Sequence, residues 1–210
     1  TNTIIRNIPV QEGWNWLSFN LNSQALADPD TLLADLDFLV GNQLKGQVYY
    51  DQFDRSGEWK GSLSNAGGVQ NEAMYMLKSP YADTITYSGI NIDPAEYPIQ
   101  LGKGWNWIGY TSNQNLEVND ALSNYHPTED DVIKSQTAFA MYDEQMGWLG
   151  SLDYLAPNKG YMLYVQAPDK LYFPATGLFS VPDGKKGTAG KNPPEAQIWE
   201  TDPAAYQHSM

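Results

Sequence analysis

The chain has 210 residues, 41% hydrophobic and 13% aromatic against 18% charged, which is the composition of a folded protein and not of a solvated tail. Its formal net charge of −13 argues against nucleic acid and anionic membrane as partners, because a polyanion is repelled at long range. Cysteine is absent, which excludes disulfides, thiolate metal sites and cysteine nucleophiles.

Seven Trp and fourteen Tyr beside 18 Gly and 13 Pro favour short strands joined by many turns. No apolar run approaches the roughly 18 residues of a membrane helix, so no membrane insertion is expected. The start at Thr1, without Met, reads as an internal part of a longer protein.

Taken in chain order, Gly13-Trp14-Asn15-Trp16-Leu17 reads as a strand entered through a glycine turn. A short helix is predicted next, with Asp28 as its cap, Pro29 at its first position, and Leu32, Leu33, Leu36, Leu39 and Val40 on one face. A hairpin follows, Val48 to Phe53 and Trp59 to Leu63 flanking a turn of Asp54, Ser56 and Gly57. Ala73 to Lys78 and Thr84 to Tyr87 read as closing strands.

The same order then recurs. Gly104-Trp105-Asn106-Trp107 repeats the opening strand, Leu116, Ala121 and Leu122 give a weaker helix, and Ala138 to Tyr142 with Trp148 to Leu152 repeat the hairpin. Gly160 to Val165 and Lys170 to Phe173 repeat the closing strands. In this alignment Tyr50-Asp51 matches Tyr142-Asp143 and Trp59 matches Trp148. The reading is a mostly β (α+β) protein of two pseudo-symmetric repeats of short antiparallel strands, each with one short helix. Its expected boundaries are 1–92 and 93–178, with 179–210 a linker and the start of a following domain, or a packed tail.

The Gly-Trp-Asn opening, the aromatic hairpin and the Gly-Tyr strand resemble tandem β-rich repeat modules of exported bacterial surface and secreted proteins, notably of Bacteroidota. The resemblance runs from Gly13-Trp14-Asn15 to Gly89 and from Gly104-Trp105-Asn106 to Gly177. The first copy departs from it where Ala73-Met74-Tyr75 stands in place of Gly160-Tyr161. The resemblance implies an extracellular or cell-surface location and an accessory role, without fixing an activity.

Among candidate ligand residues, Trp14 and Trp16, like Trp105 and Trp107, share one strand face, but core packing explains them better than a sugar platform. Trp59 and Trp148, each just past a polar hairpin turn, are expected to offer rings to a ligand. Tyr50 and Tyr142 would stand on the facing strands, and Asp51 and Asp143 would accept hydroxyl hydrogen bonds. Cross-strand packing is the alternative for the rings.

Only two histidines, His126 and His208, are present, too few for a His-based metal site or a Ser-His-Asp triad. No cofactor is expected. Calcium stays open through Asp28, Asp30, Asp51 or Asp54, although none follows a calcium-loop spacing, and the metal question is otherwise undetermined. The leading reading is a non-catalytic module binding a polysaccharide or surface glycan through exposed aromatics. A structural spacer or protein-adhesion module with a protein partner is the alternative, and a two-carboxylate glycoside hydrolase a weaker third.

Overall fold

Each Gly-Trp-Asn motif forms a turn staple before it forms a strand. Gly13 and Gly104 have φ of +91° and +97°, a region open to glycine at little cost. The next asparagine but one then bridges the turn. Asn15 accepts from the Gln11 N–H at 2.8 Å and donates to the Gln11 and Gly13 carbonyls. Asn106 does the same with Gly102 and Gly104. The motif therefore fixes how the chain enters the strand.

The computed structural model describes residues 2–175, so Gly177 and the expected tail at 179–210 lie outside the described residues. The fold is mostly β, built from short antiparallel strands as expected. The first copy runs β1 (Ile4–Val10), β2 (Gly13–Leu17), β3 (Leu21–Asn22), α1 (Pro29–Leu32), β4 (Gln43–Lys45), β5 (Tyr50–Phe53), β6 (Trp59–Gly61), α2 (Ser62–Asn65), β7 (Tyr75–Ser79) and β8 (Asp83–Asn91). The second runs β9 (Ile99–Leu101), β10 (Gly104–Gly109), β11 (Leu116–Glu117), α3 (Val118–Ala121), β12 (Val132–Lys134), β13 (Phe139–Asp143), β14 (Gly147–Gly150), β15 (Tyr154–Leu155), β16 (Gly160–Val165) and β17 (Asp169–Leu171).

Two five-stranded sheets have corresponding orders, β2-β7-β4-β5-β6 and β10-β16-β12-β13-β14. The inner face of the first packs Leu17, Leu44 and Leu77 beneath Ile8 and Ile85 of the β1-β8-β3 sheet. The inner face of the second packs Ile108, Ile133 and Leu163 beneath Leu101 and Leu171 of the β9–β17 pair. A third core, of Trp16, Met74, Met76 and Met162 with Trp14, Trp105 and Trp107 against it, lies where the two copies meet.

That junction is reciprocal. Gln136 of the second copy donates to the Trp14 carbonyl at 2.7 Å and accepts from the Trp16 N–H at 3.1 Å. Gln47 of the first copy donates to the Trp105 carbonyl and accepts from the Trp107 N–H, both at 2.8 Å. β2 and β10 are edge strands, and an open edge invites pairing with another chain. Here a side-chain amide from the opposite copy occupies each one. Farther along the same strands, Leu17 bridges to Lys159 and Ile108 to Ala73. The described residues of both copies accordingly fall within one unit.

Three sequence expectations need correction. Asp28 does cap α1, accepting from the Asp30 N–H, and Pro29 opens it, but the helix ends at Leu32. Leu39 and Val40 are 55% and 61% exposed, so the helical stripe does not extend to them. The strand expected from Trp59 to Leu63 stops at Gly61, and Leu63 points inward from α2. In the first copy α2 is a second helix beside α1, where one was expected.

Candidate binding face

The expected platforms are not where a ligand could reach them. Trp59 is 2% exposed and Trp148 5% exposed, so neither presents a ring face. Trp59 sits edge-on between Phe38 and Phe53, at 4.8 and 5.6 Å between ring centroids. Trp148 packs against Tyr142 and stacks near Tyr125. Both are core residues of their copies, as bulky rings on the inner face of a thin sheet must be. Their backbone N–H groups donate to Asp30 at 2.8 Å and to Asn119 at 2.9 Å.

Asp51 is fully buried and accepts from the Leu63 and Ser64 N–H groups and the Ser64 hydroxyl, which anchors α2 to β5. Asp143 holds the β13–β14 turn through the Gln145 and Met146 N–H groups, both at 2.9 Å. Neither carboxylate faces a ligand position. The predicted match of Tyr50-Asp51 to Tyr142-Asp143 was also three residues out of register. Tyr50 pairs with Lys45 as Phe139 pairs with Lys134, whereas Phe53 and Tyr142 pair with Trp59 and Trp148. An odd shift along a strand exchanges the two faces. Tyr142 therefore packs inward, while Tyr50 is 55% exposed and faces outward.

The calcium candidates do not converge. Asp28 and Asp51 serve helix starts, Asp30 serves β6, and Asp54 holds Ser56 in the hairpin turn. The Ser56 hydroxyl bond holds the Asp54 carboxyl below its ordinary pKa. Among the described residues no group of three His, Asp or Glu side chains is placed to hold a metal ion. Asp131, a buried carboxylate in the second copy, is satisfied by the Tyr125 hydroxyl, Thr128 and the Gln166 N–H. Burial, together with that bond to Asp131, pushes the Tyr125 phenol well above its ordinary pKa.

The outward faces of the two sheets carry what remains. On the first sheet, one row sets Trp16, Met76, Lys45 and Tyr50 side by side across four strands. Another places Trp14 opposite Lys78 and runs Gln43, Gln52 and Lys60 across the far strands. Trp14 is half-buried, and the ammonium groups of Lys45 and Lys78 stand 5.3 and 5.9 Å from the centroid of its ring. Such contacts stabilise by about 0.5–1 kcal/mol each at exposed sites. Lys60 forms an ion pair with Glu58 at 2.8 Å, which raises the lysine pKa and lowers that of the glutamate.

At the Trp14 end this face opens into a cleft of about 670 Å³. Its walls include Glu12, Leu39, Val40, Asn42, Lys78 and Pro80. The same face thus carries a partly buried indole, the exposed Tyr50, side-chain amides and ammonium groups.

The second sheet differs at the same places. Its corresponding row reads Trp105, Tyr164, Val132, Met141 and Leu149, apolar from edge to edge. Phe139, Met141 and Leu149 are 50%, 42% and 43% exposed. The Lys134 ammonium lies 4.4 Å from the Trp105 centroid. Thus where the first copy has Lys78, Gln43, Gln52 and Lys60, the second has hydrophobic side chains. This difference was readable in the sequence once the register was right, because it consists of outward positions between conserved-looking inward ones.

Among the described residues no helix is long and apolar enough to cross a membrane. Comparison with protein families, curated proteins and solved structures finds no match for this chain.

Proposed function

We propose that the protein is a non-catalytic binding module of an exported, cell-surface or extracellular protein, and that its ligand is a carbohydrate seated on the outward face of the first sheet. The observation that carries this reading is Trp14, partly buried and flanked by Lys45 and Lys78, in the same row as the amides of Gln43 and Gln52, with the exposed Tyr50 in the adjacent row. Pyranose rings pack their C–H faces on indole and phenol, while amides and ammonium groups bond hydroxyls at the rim. The junction between the copies covers Trp16 and Met76, and the strip left accessible runs from Trp14 and Lys78 across Gln43, Gln52 and Lys60, which suits a polymer better than a small solute.

Native affinity electrophoresis of the whole chain against a panel of soluble polysaccharides tests the proposal. Retardation by at least one polymer, abolished in Trp14→Ala and weakened in Tyr50→Ala, is the expected result. Retardation that survives both substitutions, or no retardation at all, refutes this seat.

The apolar row of the second sheet favours a second reading, docking to a protein partner. An exposed apolar stripe of this kind marks contact surfaces more often than sugar sites. In that case Met141→Ser with Leu149→Ser would abolish partner binding and leave the glycan assay unchanged.

A further inference from the structure

The lysines on the first sheet stand out against the rest of the molecule. The chain carries 25 acidic and 12 basic residues, yet the outward face of this sheet holds Lys45, Lys60 and Lys78. The carboxylates at its margins are Glu58, paired with Lys60, Asp30 and Asp54, whose charges also act on Lys60, and Glu12 in the cleft wall. Among the described residues Lys45 and Lys78 have no carboxylate within ion-pair distance. Lys45 and Lys78 therefore make a local basic pair on an acidic protein.

The two ammonium groups also stand 5.3 and 5.9 Å from the centroid of the Trp14 ring on which a sugar would stack. A neutral sugar stacking there must push them off the ring and offers only hydroxyls in exchange. A sugar bearing a carboxylate replaces each lost cation–π contact with a charge-assisted hydrogen bond. The arrangement thus disfavours neutral sugars and favours acidic ones, which is selectivity by what it penalises as much as by what it attracts.

We infer that the ligand of this face is an anionic polysaccharide bearing uronic carboxylates. This rests on the carbohydrate reading above and narrows it. An acidic peptide shares the charge but is less suited to the site. Extended peptides dock on free strand edges, and here Gln136 occupies the edge of β2 while Asp30 holds the outward Trp59 N–H of β6.

The test uses the whole chain in fluorescence titrations against polygalacturonate and alginate, carboxyl-reduced polygalacturonate, a neutral glucan and poly-glutamate. The acidic polysaccharides should bind, and the carboxyl-reduced form about tenfold or more weakly, as two exposed ion pairs imply. Lys45→Gln with Lys78→Gln should cost polygalacturonate binding about the same factor. Unchanged circular dichroism confirms that these surface variants fold.

Equal affinity for the carboxyl-reduced polymer, with Trp14→Ala still abolishing binding, overturns the anionic inference and leaves the glycan reading standing. Poly-glutamate binding as tightly as polygalacturonate overturns the saccharide class. If no polysaccharide, acidic or neutral, binds, both this inference and the reading beneath it fail.

Discussion

Replacing Gly160 with alanine places a methyl group in the tightest spot of the junction between the copies. The new Cβ would collide with the Met74 side chain and lie 2.9 Å from the Leu17 carbonyl oxygen. Met74 is fully buried among Trp16, Met76 and Met162, so it has little room to retreat. Overpacking of this kind costs about 1–3 kcal/mol, and the backbone contact puts Gly160→Ala toward the upper end. Met74→Ala alone should cost about 2–5 kcal/mol by leaving a cavity. In the double variant the alanine methyl occupies part of the space that Met74 vacated. Gly160→Ala should therefore cost less there than in the wild-type background, by about 1–2 kcal/mol, within the usual range for residues in contact. Urea unfolding followed by tryptophan fluorescence, with m-values checked for constancy, measures the cycle. A Gly160→Ala cost that is the same in both backgrounds refutes the argument that these residues form one knob and hole.

Two further outcomes follow from the same geometry. Gln136→Ala should destabilise the protein by about 1 kcal/mol, since water can replace part of the two lost hydrogen bonds, and Gln47→Ala should do likewise. Hydrogen exchange separates them: protection of the Trp16 amide should fall only in Gln136→Ala and that of Trp107 only in Gln47→Ala, and any other pattern contradicts the assignment of the two clamps. Burial raises the phenols of Tyr75, Tyr87 and Tyr161 from 10.0 to about 12. Because the folded pKa is the higher one, the stability held by these neutral phenols is full below pH 10 and drains as the pH rises toward 12. Tyrosinate absorbance at 295 nm should show a late phase in that window, accompanied by falling stability; ionisation of every tyrosine near pH 10 in a still-folded protein would contradict it.

Local sequence decided a good deal. The Gly-Trp-Asn turn is self-contained, because Asn15 and Asn106 reach only to residues two and four back along the chain and to the neighbouring strand. The Asp28 cap with Pro29 is equally local, as is the alternation that makes the chain mostly β. The departure at Met74 was visible as an exception to the repeat, but its meaning was not. Met74 fills the hollow that Gly160 leaves in the other copy, and no window of sequence contains both.

The candidate site was less legible for the same reason. A hairpin turn with a tryptophan behind it looks the same on paper whether the ring faces solvent or the core, and the three-residue slip at Tyr142 turned an inward residue into an apparent outward one. Gln47 and Gln136 lie in loops without a motif, yet they close the edges of β2 and β10 from the opposite copy. The residue types and their periodicity determined which strands and turns this chain makes, since those depend on neighbours a few positions away. Which faces are left to solvent depended on how the two copies pack. That is set by contacts between residues about ninety positions or more apart in some cases, such as Trp14 with Gln136, whose proximity exists only once the chain has folded.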